Sequence, residues 1–179
     1  MRVKSELAAG EWAVLALLCE EPRHGYAVGS LMAADGEIGR VWSLRRPMTY
    51  RAIAELERAK LVVLDSVEPG TGAPTRRVLR AAPEARDRVA AWLEQPEEHV
   101  RDLRSKLLLK VHFLRRRGLP IAGLLHAQRA VLVHQERSLA EQRSDDDDLG
   151  RMLARWRWSM TEAALRFVDA MLAEEAASH

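Results

Sequence analysis

Five side chains able to grip a phosphate or read a base edge crowd into one short stretch: Arg45, Arg46, Thr49, Tyr50 and Arg51. A guanidinium pairs bidentately with phosphate or with guanine, and a hydroxyl donates to a phosphate oxygen. Arg51 is the first choice for a guanine contact, while Thr49 and Tyr50 suit phosphates. A second set, Thr75, Arg76 and Arg77, suits the duplex backbone, with Thr71 a weaker candidate. Tyr26, at the start of an expected helix, offers a hydroxyl beside free backbone amides that could hold another phosphate.

The charge around these residues agrees with that chemistry. Residues 40–80 carry nine Lys or Arg against four acids, net +5, whereas residues 1–39 are net −3 and residues 81–179 net 0. The overall +2 therefore conceals a basic centre, and a basic stripe is the electrostatic footprint of nucleic-acid binding.

The elements that would position these groups follow from spacing. Pro47 suits the first turn of a helix, and the helix is expected to run to about Lys60. Ala52, Ile53, Leu56 and Ala59 form its packed side, while Pro47, Arg51, Ala54 and Arg58 form a wettable one. The β-branched run Leu61 to Glu68, the turn formers Pro69 to Pro74 and the resumed run Arg76 to Arg80 predict a hairpin. A presented helix followed at once by a hairpin with arginines at its base is the layout of a winged helix-turn-helix. Its helix can enter a major groove about 12 Å wide.

Upstream, a helix from Ala9 to about Glu21 is apolar on most sides and should sit centrally, ended by Pro22. Pro22 to Tyr26 reads as a turn, and the next helix is expected to carry Tyr26, Val28, Leu31 and Met32 inward before Asp35-Gly36 stops it. Glu37 to Arg46 is an irregular link containing Trp42. A further helix starts at Pro83, with Val89, Ala90, Trp92 and Leu93 as its apolar side, and ends at Gln95-Pro96.

Beyond Pro96 the pattern is helical throughout. Val100 to Arg117 places Val100, Leu103, Leu107, Val111 and Leu114 on one side, and Ile121 to Gln142 forms a second helix. The third carries Leu149, Leu153, Trp156, Met160, Ala163, Phe167 and Met171 at intervals of three and four, a seam suited to a partner. Three long helices cannot all bury their apolar faces against one small winged domain, so a homodimer is expected. Leu103, Leu107, Val111, Leu149, Leu153, Trp156, Met160, Phe167 and Met171 are its dimerisation candidates. The four acids Asp145 to Asp148 suit a helix N-terminus or a solvated loop better than a metal ion, because consecutive residues cannot all face one cation.

The fold class expected is therefore mainly α with a small β-hairpin wing. Residues 1–96 form a winged helix-turn-helix DNA-binding domain, and residues 97–179 a helical dimerisation domain of antiparallel helices. The longest apolar run, Trp12 to Cys19, falls short of the roughly 20 residues that span a bilayer. Acids at 6 and 11 interrupt any signal-peptide pattern, and the single cysteine, Cys19, fits a reducing cytoplasm.

The residues also match a known family. Leu15-Ala16-Leu17-Leu18, Pro22-Arg23-His24-Gly25-Tyr26, Tyr50 to Glu57, Trp92 to Pro96 and Arg101 to Lys110, in that order and spacing, resemble the PadR-like transcriptional regulators over roughly residues 10–175. The resemblance implies a homodimeric repressor of palindromic operators. In some members an aromatic or drug-like ligand releases the DNA. Pro47-Met48-Thr49 and Arg51 depart from the family's usual glycine-containing lead and proline, so an operator sequence does not carry over.

Trp12, Trp42, Trp92, Trp156 and Trp158 could line a cavity for such an effector, since flat ligands stack on indoles. Trp92 and Trp156 fall on packed faces, which favours a core role for them. An enzyme is not expected. The six histidines lack metal-ligand spacing, there is no phosphate-cradling glycine loop, and Cys19 sits in an apolar helix. No cofactor is implied. The competing reading is a winged-helix protein-interaction module without DNA binding, which salt-dependent duplex affinity would separate from a regulator.

Overall fold

A computed structural model of the chain describes residues 7–69, 75–141 and 147–177. The chain divides into two compact units, Met1–Leu93 with Leu108–Phe113, and Glu94–Leu107 with Leu114–His179. The first unit thus takes in a short segment from within the span expected for the second.

In the first unit, α1 (Ala9–Glu20) is buried at every position from Ala9 to Cys19, as a helix apolar all round must be. The Glu11 carboxylate accepts from the Ala8 N–H at 2.7 Å, satisfying one of the orphan donors at the helix start. At the other end Arg86 Nη1 donates to the Cys19 carbonyl at 3.1 Å. Trp12 stacks on Trp92 of α4 (Pro83–Glu94), with centroids 5.0 Å apart and planes 4° from parallel. Lys110 Nζ lies 5.4 Å from the Trp92 ring on the side chain's own buried site.

Helix α2 (Gly25–Met32) is capped by His24, whose Nδ1 accepts from the Ala27 N–H at 3.0 Å. After α2 the chain is tied to itself by its backbone. Ile38 N–H and Gly39 N–H both donate to the Leu31 carbonyl at 3.1 Å, and Leu44 N–H donates to the Met32 carbonyl at 2.8 Å. Gly39 is obligatory here, because a Cβ would lie 1.6 Å from the Ala33 carbonyl oxygen.

The chain then enters α3 (Arg46–Arg58), with Pro47 in its first turn. Thr49, Ala52, Ile53 and Leu56 are its buried stripe. Ala59, expected on that stripe, instead caps the helix and is exposed. Lys60 follows at φ 60°, donating to the Glu57 carbonyl, while Leu61 N–H reaches back to the Leu56 carbonyl, each at 2.9 Å. That pair of bonds is a Schellman stop.

The wing is β2 (Val62–Glu68) against β3 (Arg76–Ala81), antiparallel, with Asp65 bulged between the pairs Leu64↔Leu79 and Ser66↔Val78. The expected turn from Pro69 to Pro74 lies largely outside the described residues. Arg23–His24, read from the sequence as part of a turn, is instead a strand, β1. It pairs with β3 and completes a sheet of order β1-β3-β2. Two residues are too few to carry a period, so only the pairing reveals it.

The helical stretch after Pro96 is not uniform, and its residues Leu108–Phe113 belong to the first unit. Val100–Asp102 (α5) runs into a π-helical turn, Leu103–Leu107, and then α6 (Leu108–Arg116). The three- and four-residue spacing gave no sign of the extra residue that a π turn accommodates. α7 (Ala122–Glu141) and α8 (Asp148–Ala177) pack along each other. Leu124, Leu125, Gln128 and Leu132 of α7 and Thr161, Leu165 and Val168 of α8 are buried. Gln128 clasps the Glu97 backbone at both ends of its amide, accepting from the N–H at 2.7 Å and donating to the carbonyl at 2.9 Å. Asp147 Oδ1 accepts from the Gly150 N–H at 2.9 Å, the capping role expected of the acidic run, whose Asp145 and Asp146 lie outside the described residues. No helix among the described residues is long and apolar enough to cross a membrane.

Candidate nucleic-acid interface

The amphipathic rotation of α3 decides which of the sequence candidates are available. Arg45, Arg46, Tyr50 and Arg51 are exposed at its leading end, opposite the buried stripe. Thr49 is not. It falls three, four and seven residues before Ala52, Ile53 and Leu56, so it turns inward and is fully buried. Its hydroxyl has no hydrogen-bond partner among the described residues. The expectation that Thr49 holds a phosphate is therefore corrected: it belongs to the packing of α3.

Tyr26 reverses in the other direction. Expected to point inward, it is 56% exposed on the first turn of α2, and Leu31 is only half-buried. The Arg46 guanidinium lies over the Tyr26 ring, 4.5 Å from its centroid. Tyr50, also half-exposed, passes over the start of α2 so closely that a Cβ at Gly25 would come within 2.7 Å of its ring. Gly25 is the only residue type that fits beneath that ring without displacing it.

The wing closes the other side. Thr75, Arg76 and Arg77 are exposed, and with His24, Tyr26, Tyr50 and Glu57 they line a groove of about 930 Å³ between α2, α3 and β3. Arg77 and Leu79 share a strand face, and there Arg77 Nη2 meets Glu57 Oε1 at 2.7 Å. Arg80, further along, pairs with the bulged Asp65 at 3.2 Å. The tip residue Thr71 lies outside the described residues. Glu57 is the functional neighbour that the sequence reading missed. The signal was available, since Glu57 lies one turn after Ile53 and Ala54 on the edge of α3 that meets the hairpin.

The dimerisation candidates also separate by burial. Leu103, Leu107 and Val111 are buried within the chain and present no surface to a partner. Leu149, Leu153, Trp156, Met160 and Phe167 are exposed along α8, with Met171 partly so. Trp156, placed on a packed face by the sequence reading, is 63% exposed. The stripe that α8 does bury, Thr161, Leu165 and Val168, lies roughly a third of a turn away from the exposed one. Trp12 and Trp92 are core residues stacked on each other. A cavity of about 650 Å³ does lie in the second unit, walled by Val100, Leu139, Trp156 and Met160, with His134 and Ser138 as polar groups.

No protein-family model and no curated protein matches the chain. Among solved structures it is similar to Bacillus subtilis PadR in complex with operator DNA, at 15% identity and a TM-score of 0.46, covering 92% of this chain and 98% of that one. A second structure of Bacillus subtilis PadR is similar at 14% identity and a TM-score of 0.44, covering 98% and 99%. The protein smu.1604c from Streptococcus mutans is similar at 13% identity and a TM-score of 0.42, covering 92% and 98%. The winged helix-turn-helix followed by long helices is given by the chain's own elements and sheet order.

Proposed function

We propose that the chain is a DNA-binding transcriptional regulator, a cytoplasmic homodimeric repressor of a palindromic operator. Residues 1–96 read the duplex and residues 97–179 hold the dimer. One observation carries the reading: Arg45, Arg46, Tyr50 and Arg51 stand exposed at the leading end of a helix whose opposite face is packed, beside a wing bearing exposed Arg76. That end of a recognition helix is the part that approaches base edges. Two such heads joined through α8 would sit about 34 Å apart, one turn of duplex.

The dimer is supported by α8 itself. Five large apolar side chains, Leu149, Leu153, Trp156, Met160 and Phe167, remain exposed along one side of a 30-residue helix. Contiguous apolar surface of this kind marks an interaction site. An effector is the remaining part of the proposal. The 650 Å³ cavity beside Trp156 is of ligand size and could stack a flat aromatic molecule.

The test is duplex binding by the wild-type protein across a range of salt, followed by footprinting on DNA upstream of its own gene. A regulator gives a protected two-fold symmetric site and an affinity that falls steeply with salt. An adaptor without DNA binding gives neither, and that result would replace this reading with the protein-interaction module. Quenching of Trp156 fluorescence by planar aromatics, absent in Trp156→Phe, tests the effector.

A further inference from the structure

Arg46 and Tyr26, each a candidate DNA contact by residue type, are not independent of each other. Arg46 lies across the outer face of α2. Its stem passes beside Gly29, where a Cβ would stand 3.7 Å from Arg46 Cγ, and its guanidinium rests over the Tyr26 ring, 4.5 Å from the centroid. Tyr26 and Gly29 are three residues apart and therefore share that face. A flexible arginine is thus laid along a fixed track one turn long, with its charged end parked on an aromatic ring.

We infer that Tyr26 is a positioning residue for Arg46: it holds the guanidinium at the leading end of α3 before DNA arrives, and does not itself contact a phosphate. This rests on the DNA-binding reading and sharpens it. An arginine free in solution loses rotamer freedom when it engages a phosphate. A guanidinium already settled on a ring face has lost part of that freedom in the unbound protein. A guanidinium over a ring face keeps N–H donors directed away from the ring, and these can donate to a phosphate. The Tyr26 hydroxyl is not needed for this; the π-face is.

Three substitutions separate the two roles. Tyr26→Phe keeps the ring and removes the hydroxyl. Tyr26→Leu and Tyr26→Ala remove the ring, the first keeping apolar bulk so that folding is preserved. Each is titrated against one operator duplex over a range of salt, in the wild-type background and with Arg46→Ala. The expected result is that Phe binds as the wild type does, while Leu and Ala bind about two- to fivefold more weakly, as the arginine must then be ordered on binding. Their salt dependence should be unchanged, because the arginine still reaches its phosphate. Arg46→Ala should lower the salt slope by about one. In that background Tyr26→Leu should have no further effect.

A readout without DNA accompanies this. In the free protein the Arg46 side-chain protons should be shifted upfield by the Tyr26 ring current in the wild type and in Tyr26→Phe, and not in Tyr26→Leu. If Tyr26→Phe weakens binding as much as Tyr26→Ala, or if Tyr26→Leu still weakens binding when Arg46 is absent, Tyr26 contacts DNA directly and the inference is overturned. Absence of the ring-current shift overturns it as well. A wild-type protein with no salt-dependent duplex affinity would instead overturn the DNA-binding reading, and with it the purpose assigned to the stack, even if the shift were seen.

Discussion

Arg77 of the wing and Glu57 of α3 form an ion pair at 2.7 Å, so one of the cations nearest the proposed duplex is already engaged by an acid of α3. The pair fastens wing to helix, and it also lowers the net charge of the groove. A phosphate approaching Arg77 must compete with a carboxylate that is already in place.

Glu57→Gln should therefore bind duplex DNA several-fold more tightly than the wild type, with a steeper salt dependence. Because the pair is largely solvent-exposed, its loss should change unfolding free energy by less than about 1 kcal/mol. Titration at two salt concentrations together with urea denaturation measures both. An affinity equal to or below that of the wild type would mean that the acid serves binding and does not oppose it.

Arg51 and Arg76 should fail in different ways. Arg51→Ala should relax sequence preference by about 1 to 3 kcal/mol at one position of each half-site, as expected for a lost bidentate base contact. Arg76→Ala should weaken all sequences alike and reduce the salt slope. Competition titrations against single-base operator variants distinguish them, and identical specificity profiles would reject the assignment.

Thr49→Val should leave DNA affinity unchanged and should keep or raise stability by up to about 1 kcal/mol, since the buried hydroxyl has no partner and a methyl has no need of one. Thermal unfolding and a duplex titration suffice to check it. A large loss of affinity in a fully folded Thr49→Val protein would restore a DNA role for the hydroxyl.

The exposed stripe on α8 predicts a change of mass. Leu153→Glu combined with Trp156→Glu should convert the protein to a single-copy species in sedimentation, with helical content retained. Operator affinity should fall by at least tenfold as the two half-sites lose their coupling. If the doubly substituted protein sediments as the wild type does, the stripe is not what joins two copies.

Lys60→Gly should stabilise the first unit by about 1 kcal/mol, because a lysine held at φ 60° bears the left-handed strain that glycine escapes. Equilibrium urea unfolding reads the gain directly. No gain, or a loss, would mean that the lysine side chain makes a contact worth more than the strain.

Much of this layout was legible in the order of residues, and the exceptions have physical causes. Pro22, Pro83 and the segment ending at Pro120 punctuate the helices because proline limits its own φ and its predecessor's conformation. The hairpin was visible because β-branched runs flank a cluster of turn formers. Thr49 is inward, as its spacing from Ala52, Ile53 and Leu56 requires, and only its residue type suggests a phosphate contact. Tyr26 is the mirror case: an aromatic ring suggests core, yet it stands exposed, which leaves its candidacy at the DNA surface open to test. The strand at Arg23–His24 and the π turn at Leu103–Leu107 had no local signature at all, since the first exists through pairing with β3 and the second is one extra residue within a turn. The pairing of Arg77 with Glu57 needed the register of the wing against α3, which a list of charges does not contain.

The packing of Gly39 against the Ala33 carbonyl bears on how such a protein could be retargeted. Since even a methyl group is refused there, the link between α2 and α3 leaves no room for substitution at that position, and on the proposed reading a change of DNA preference has to come from swaps on the open side of α3. A library built to change DNA preference should hold position 39 constant and vary 45 and 51, whose side chains are exposed, while 46 and 50 are tied to Tyr26 and Gly25.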